Sequence, residues 1–142
     1  MNYFDTSYLA RCYIEDTGWE KVRALAERAP VACCSIGRAE AAAALHRKLR
    51  EGFLTAEEYD DVALQFRDDC DAGLWRWLPV SDALAAAVAE KLRTLPASVF
   101  IRGADALHLW CAAEDGFTEV FSHDRHFLAA APHFGLAGRD VI

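Results

Sequence analysis

Pro30 is followed by Val31–Ile36, VACCSI, an uninterrupted apolar run of strand length. A strand with one face in water alternates apolar and polar side chains, whereas a continuous apolar run marks a strand covered on both faces. That requirement narrows the available folds to those in which helices cover a mainly parallel sheet. The flanking sequence supplies the helices. Trp19, Val22, Leu25 and Ala26 mark an amphipathic helix that Pro30 ends. Gly37 turns the chain into an Ala-rich helix, RAEAAAALHRKLR, which stops near Gly52.

The same alternation continues in both directions. Met1–Asp5 reads as an apolar first strand, and Thr6 or Ser7 can cap a helix from Tyr8 to about Glu15 that breaks at Thr17-Gly18. Thr55 with Glu58 is a capping-box signal opening a helix whose stripe is Tyr59, Val62, Ala63, Phe66 and Cys70. Glu57, Asp60, Asp61, Asp68 and Asp69 lie off that stripe and read as a solvated face. Leu74–Val80 reads as a third strand with Trp75 and Trp77 at alternate positions, places more often taken by core than by base-stacking side chains. Ser81 caps a helix with Leu84, Val88, Leu92 and Leu95, closed by Pro96. The loop Ala97–Arg102 leads to a helix that stops at Gly116 and a strand over Thr118–Ser122. A short helix through Ala131, a loop over Pro132–Gly138 and an edge strand near Asp140–Ile142 complete an α/β pattern with a parallel sheet.

Composition bounds the function. With 54% hydrophobic and 26% charged residues the chain is globular, and 142 residues suit one domain. The formal net charge of −7 argues against a broad, unspecific grip on nucleic acid, but not against an enzyme whose acids gather metal ions. Five cysteines without a C-x-x-C pair read as reduced thiols packed as small hydrophobes. The start, MNYFDTS, has neither the basic region nor the apolar core of a signal peptide, and no apolar run is long enough to span a membrane. A cytoplasmic location is therefore expected.

Four carboxylates stand apart from the solvated ones. Asp5 ends the first strand, Glu40 falls in the first turn of the helix after the second, Asp105 opens the helix before the fourth, and Asp124 follows that strand. Ligands of open α/β sheets bind outside the carboxyl ends of the strands, and all four acids fall on that edge. Each alone has a simpler explanation as a helix cap or as a dipole-facing acid in a first turn. Together they repel one another, a penalty that a divalent cation removes, and all-oxygen ligands favour hard ions such as Mg²⁺ or Mn²⁺. Around them, Ser7 and Ser122 can hydrogen-bond a carboxylate, although capping and turn roles are as common. His108 shares a helical face with Asp105 and can orient a carboxylate or simply pack. Arg38, His46, Arg47, Lys48 and Arg50 form the one dense basic patch; it can hold RNA phosphates, although a solvated face is the commoner use of such a run.

Four pieces of the chain, YFDTS, SIGRAEAAAAL, GADALHLWCAA and VFSHDRHF, resemble in order and spacing those of PIN-domain ribonucleases, in particular VapC-type toxins of toxin–antitoxin pairs. The resemblance spans almost the whole chain and implies a single PIN domain over residues 1–142. It implies a PIN-like three-layer α/β/α fold around a mainly parallel sheet of about four to five strands. It further implies that Asp5, Glu40, Asp105 and Asp124 bind Mg²⁺ or Mn²⁺ and that water activated there cuts an RNA phosphodiester. A cognate antitoxin and a homodimer are the partners it implies. The competing reading is a non-catalytic PIN-like module that binds RNA or a protein. A phosphatase of the haloacid-dehalogenase type is set aside, because its second Asp would fall where Ser7 stands.

Overall fold

The computed structural model describes residues 1–142. Three parallel strands, β1 (Asn2–Tyr3), β2 (Val31–Cys34) and β3 (Trp75–Leu78), form one ladder with Asn2 beside Val31 and Val31 beside Trp75. A second parallel ladder pairs β4 (Glu119–Phe121) with β5 (Ala137–Arg139). The ladders meet at a single bridge, Phe4 with Phe121, where the Asp5 amide donates to the Phe121 carbonyl at 3.0 Å. The strands therefore lie in the order β3-β2-β1-β4-β5, all parallel, as the uninterrupted apolar run requires.

Helices α1 (Thr6–Arg11), α2 (Trp19–Arg28), α3 (Ile36–Arg50) and α4 (Ala56–Asp71) cover one face, and α5 (Asp82–Thr94), α6 (Gly103–Glu114) and α7 (Arg125–Ala130) the other. Strand periodicity sorts the core between them. Tyr3, Ala32 and Cys34 pack with Leu84, Val88, Leu109, Val120 and Phe127 on the second face. Phe4, Val31 and Cys33 pack with Tyr8, Leu9, Val22, Leu45, Phe66 and Trp75 on the first. Leu109 and Leu45 are buried to within 1% of full, so truncating either to alanine costs about 2–5 kcal/mol. Trp75 belongs to this core and donates its indole N–H to Tyr13 Oη at 2.7 Å, while Trp77 packs edge-on against Phe66. Neither ring stands ready to stack on a base at the carboxyl edge. No helix is long and apolar enough to cross a membrane.

Beyond strands a residue or more shorter than expected at their ends, several boundaries differ from the sequence reading. Helix α1 starts at Thr6 and ends at Arg11, because Asp5 rather than Thr6 or Ser7 accepts the Tyr8 amide as its cap. Strand β2 stops at Cys34 and α3 begins at Ile36, so Gly37 lies inside the helix instead of turning the chain into it. A Cβ there would sit 2.5 Å from Cys33 Sγ; glycine is what lets α3 press onto β2. With the helix starting earlier, Glu40 lies one turn in rather than in the first turn. The last strand is Ala137–Arg139, upstream of the expected Asp140–Ile142. Asp140 and the Val141 amide are both engaged by the Tyr8 hydroxyl, at 2.6 and 2.7 Å, so the terminal residues bond to a side chain and not to the ladder.

Candidate active site

The carboxyl ends of β1 and β4, helix α1, the face of α3 from Glu40 onward and the start of α6 surround a cleft of about 610 Å³. Asp5, Glu40, Asp105 and Asp124 all line it, brought together from four separate segments. The local cause is the parallel sheet: each strand enters its helix at the same edge, so acids at strand ends and helix starts converge.

The acids are held differently. Asp5 is only 7% exposed, and both of its oxygens are engaged. Oδ1 accepts from the Ser7 hydroxyl at 2.7 Å and the Tyr8 amide at 3.0 Å, and Oδ2 accepts from the fully buried Ser122 hydroxyl. Glu40 Oε2 accepts from the Thr6 hydroxyl at 2.6 Å and lies 2.9 Å from His108 Nε2, while Oε1 makes no hydrogen bond. Asp124 caps α7, its Oδ1 accepting from the amides of His126 and Phe127, with Oδ2 unengaged. Asp105, in the first turn of α6, makes no side-chain hydrogen bond to another side chain. Ser122 also accepts the Asp124 amide at 2.9 Å and Ser7 the His123 amide at 3.1 Å, so both serines tie β1 to the loop after β4.

The electrostatics follow from burial and like charge. Burial pushes the Asp5 carboxyl above the usual range, against the pull of Ser122, Ser7 and the Tyr8 amide. Burial and then the neighbouring Asp124 raise Asp105, with Glu40 adding to the repulsion. Glu40 is held below the usual range, first by the hydrogen bond from His108. Burial opposes a charge on His108, but the Glu40 hydrogen bond, Cys34 and the charges of Glu40 and Asp5 outweigh it and raise its pKa.

None of the four acids is paired with a Lys or Arg; the one nitrogen base beside them is His108, whose Nε2 lies 2.9 Å from Glu40, and every Lys or Arg salt bridge lies elsewhere. The cleft thus gathers oxygen donors, with Asp124 and Glu40 both raising the pKa of Asp105, and no Lys or Arg is paired with any of them. That donor set fits a hard divalent ion. No three of the side chains stand close enough together to hold an ion as they are; Asp5, Glu40, Asp105 and Asp124 are the residues that would hold it.

The basic patch divides. Arg47, Lys48 and Arg50 line the cleft, with Lys48 also 3.1 Å from Asp16. Arg38 does not: its guanidinium lies 3.3 Å from Asp71 and over the Trp77 ring, away from the acids, which corrects the expectation that it serves the same surface. The helical period explains the split. From Glu40, the stripe at i+3, i+4, i+7 and i+8 leads through Ala43 and Ala44 to Arg47 and Lys48, and Arg38 lies off it. Arg11 and Arg102 also line the cleft and were not singled out in the sequence; Arg102 is the residue capping α6, two before Ala104 and three before Asp105. Thr6 and Tyr3, the partners of Glu40 and His108, carry no sequence signal beyond their place beside Asp5.

No curated protein matches the chain in sequence. Solved structures match in fold. The chain superposes on the Mycobacterium tuberculosis toxin VapC20, described as cleaving the sarcin-ricin loop, with a TM-score of 0.75 at 18% identity, over 92% of this chain and 95% of that one. It superposes on FitAcB from Neisseria gonorrhoeae with a TM-score of 0.68 at 18% identity, over 97% and 96% of the two chains. For VapBC2 from Rickettsia felis, bound to a DNA fragment from its promoter, the TM-score is 0.63 at 15% identity, over 99% and 98%. The PIN-domain family model matches residues 3–132, a span that holds all four acids, and the chain belongs to the PIN-domain family.

Proposed function

We propose that this chain is a metal-dependent endoribonuclease, the toxin of a toxin–antitoxin pair, built as a single PIN domain over residues 1–142. The observation that carries the reading is the meeting of Asp5, Glu40, Asp105 and Asp124 in one cleft with no Lys or Arg paired to them, under a rim of Arg11, Arg47, Lys48, Arg50 and Arg102. Mg²⁺ or Mn²⁺, when bound, supplies Lewis-acid chemistry to an RNA phosphodiester and to the water that attacks it.

The chain's own residues divide the remaining work. Asp5, Glu40, Asp105 and Asp124 would hold the ion, and Oε1 of Glu40 and Oδ2 of Asp124 make no other hydrogen bond. Ser7 and Ser122 keep Asp5 oriented rather than touching substrate. The cationic rim draws the RNA backbone toward the acids despite the net charge of −7. The family and the toxins and toxin–antitoxin pairs among the similar structures support RNA as substrate and a cognate antitoxin as partner. A homodimer and a cytoplasmic location complete the proposal.

The test is cleavage of total cellular RNA by the purified, antitoxin-free protein. Cutting that requires Mg²⁺ or Mn²⁺, stops with chelator and disappears in Asp5→Asn and Asp105→Asn supports the reading. A folded wild type that cuts no RNA with either metal refutes it in favour of a non-catalytic module that binds RNA or a partner.

A further inference from the structure

A buried chain of hydrogen bonds runs from the core to one oxygen of Glu40. Tyr3, at the end of β1, is fully buried, and His108, on α6, is 2% exposed. Tyr3 Oη lies 2.9 Å from His108 Nδ1 and accepts the Cys34 backbone N–H at 3.2 Å. His108 Nε2 lies 2.9 Å from Glu40 Oε2, on which the Thr6 hydroxyl also converges at 2.6 Å.

The protons can be placed by satisfying every buried donor. Cys34 gives its N–H to the Tyr3 oxygen, and the only acceptor within reach of the Tyr3 proton is His108 Nδ1. A proton on Nδ1 would leave the buried Tyr3 hydroxyl without an acceptor, which is costly. The neutral ring therefore carries its proton on Nε2, where it is donated to Glu40 Oε2 at 2.9 Å, the nearer of two acceptors, the Thr6 hydroxyl oxygen being at 3.3 Å. The ring has little room to turn: Tyr3 and Phe127 meet it edge-on, at 6.1 and 6.4 Å between centroids, and a Cβ at position 37 would be 3.3 Å from its Cε1.

We infer that Tyr3 and His108 are positioning residues for Glu40: Tyr3 sets the His108 tautomer, and the Nε2 proton, with Thr6, pins Oε2 so that Oε1 faces the cleft. This inference rests on the ribonuclease reading for its consequence, not for its geometry. Outer partners that orient a metal-binding carboxylate typically contribute roughly tenfold to a hundredfold in metal affinity or activity, which sets the scale of the effect.

Three variants and one spectroscopic measurement test it. In ¹⁵N–¹H correlation spectra of the metal-free protein, recorded above the pKa of His108, the ring shows its proton on Nε2. Tyr3→Phe, which keeps the aromatic ring, spreads the signal over both tautomers. His108→Gln places an amide donor near the Nε2 position and His108→Asn places one near Nδ1. Mn²⁺ affinity and RNA cleavage fall by roughly tenfold to a hundredfold in His108→Asn and several-fold less in His108→Gln. An Nδ1 proton in the wild type, tautomers unmoved by Tyr3→Phe, or equal losses in the Gln and Asn variants overturns the inference while leaving the nuclease in place. A wild type that cuts no RNA refutes the nuclease instead, and the spectra and Mn²⁺ affinities still decide the positioning role.

Discussion

Ser122→Ala is the substitution that most sharply probes how the acid cleft is wired to the sheet. The Ser122 hydroxyl is fully buried, donates to Asp5 Oδ2 and accepts the Asp124 amide at 2.9 Å. Removing it deprives a buried carboxylate of a charge-assisted hydrogen bond, at about 1.5–3 kcal/mol, and the void left by one oxygen adds little. The Asp124 amide is partly buried and regains water in part, so the total is about 2–3 kcal/mol. Urea unfolding reads this as a lower midpoint with an unchanged slope. Pairing the change with Asp5→Asn isolates the contact. In that background Ser122→Ala removes only a neutral hydrogen bond, about 1 kcal/mol, so the coupling energy is about 1–2 kcal/mol.

The pH dependence has a definite sign. Burial raises the Asp5 pKa and the Ser122 donor pulls it back, so losing the donor raises it further. Protonated Asp5 needs the donor less. The cost of Ser122→Ala is therefore largest above the pKa that Asp5 has in the variant, and smallest below the one it has in the wild type. A cost under about 0.5 kcal/mol, or one equal in the Asp5→Asn background, would refute the reasoning.

Two other predictions concern the frame around the cleft. Gly37→Ala forces a methyl to within 2.5 Å of Cys33 Sγ, so thermal unfolding should show a loss of about 1–3 kcal/mol; a variant as stable as the wild type contradicts the close approach of α3 to β2. Burial opposes the Asp140 charge, but bonds from the Tyr8 hydroxyl, the Ile142 amide and His123 prevail and lower its pKa. Its contribution is present above the unfolded-state value of about 3.9 and is lost as pH falls through the lower folded value, so Asp140→Asn should flatten that acid limb in urea midpoints; an unchanged limb counts against the contact.

Much of this architecture is legible in the residues because it rests on periodicity. VACCSI without alternation demanded cover on both faces, and Cys33 and Cys34 point into opposite cores. The Thr55–Glu58 capping box forms with both of its bonds. That the four acids fall on one edge of the sheet followed from the parallel order, although Glu40 lies one turn into α3 instead of in its first turn. What could not be read has tertiary causes. Asp5, Thr6 and Ser7 are consecutive capping residues, so the sequence leaves open which of them caps α1, and in the fold Asp5 does, its backbone N–H held by the Phe121 carbonyl. Gly37 looks like a turn until Cys33 is seen beneath it. The Tyr3–His108 contact spans 105 residues of sequence and has no local signature. Arg38 is a different case, since the helical stripe from Glu40 already separates it from Arg47 and Lys48.

The measurement closest to the central claim is Mn²⁺ binding to the purified protein, followed by electron paramagnetic resonance and calorimetry, for the wild type and for Asp5→Asn and Asp105→Asn. The account predicts that the wild type binds the ion and that each substitution, in a folded protein, weakens binding by about tenfold or more. Binding that is the same in all three proteins would place the ion elsewhere and contradict the claim that these acids converge to hold it.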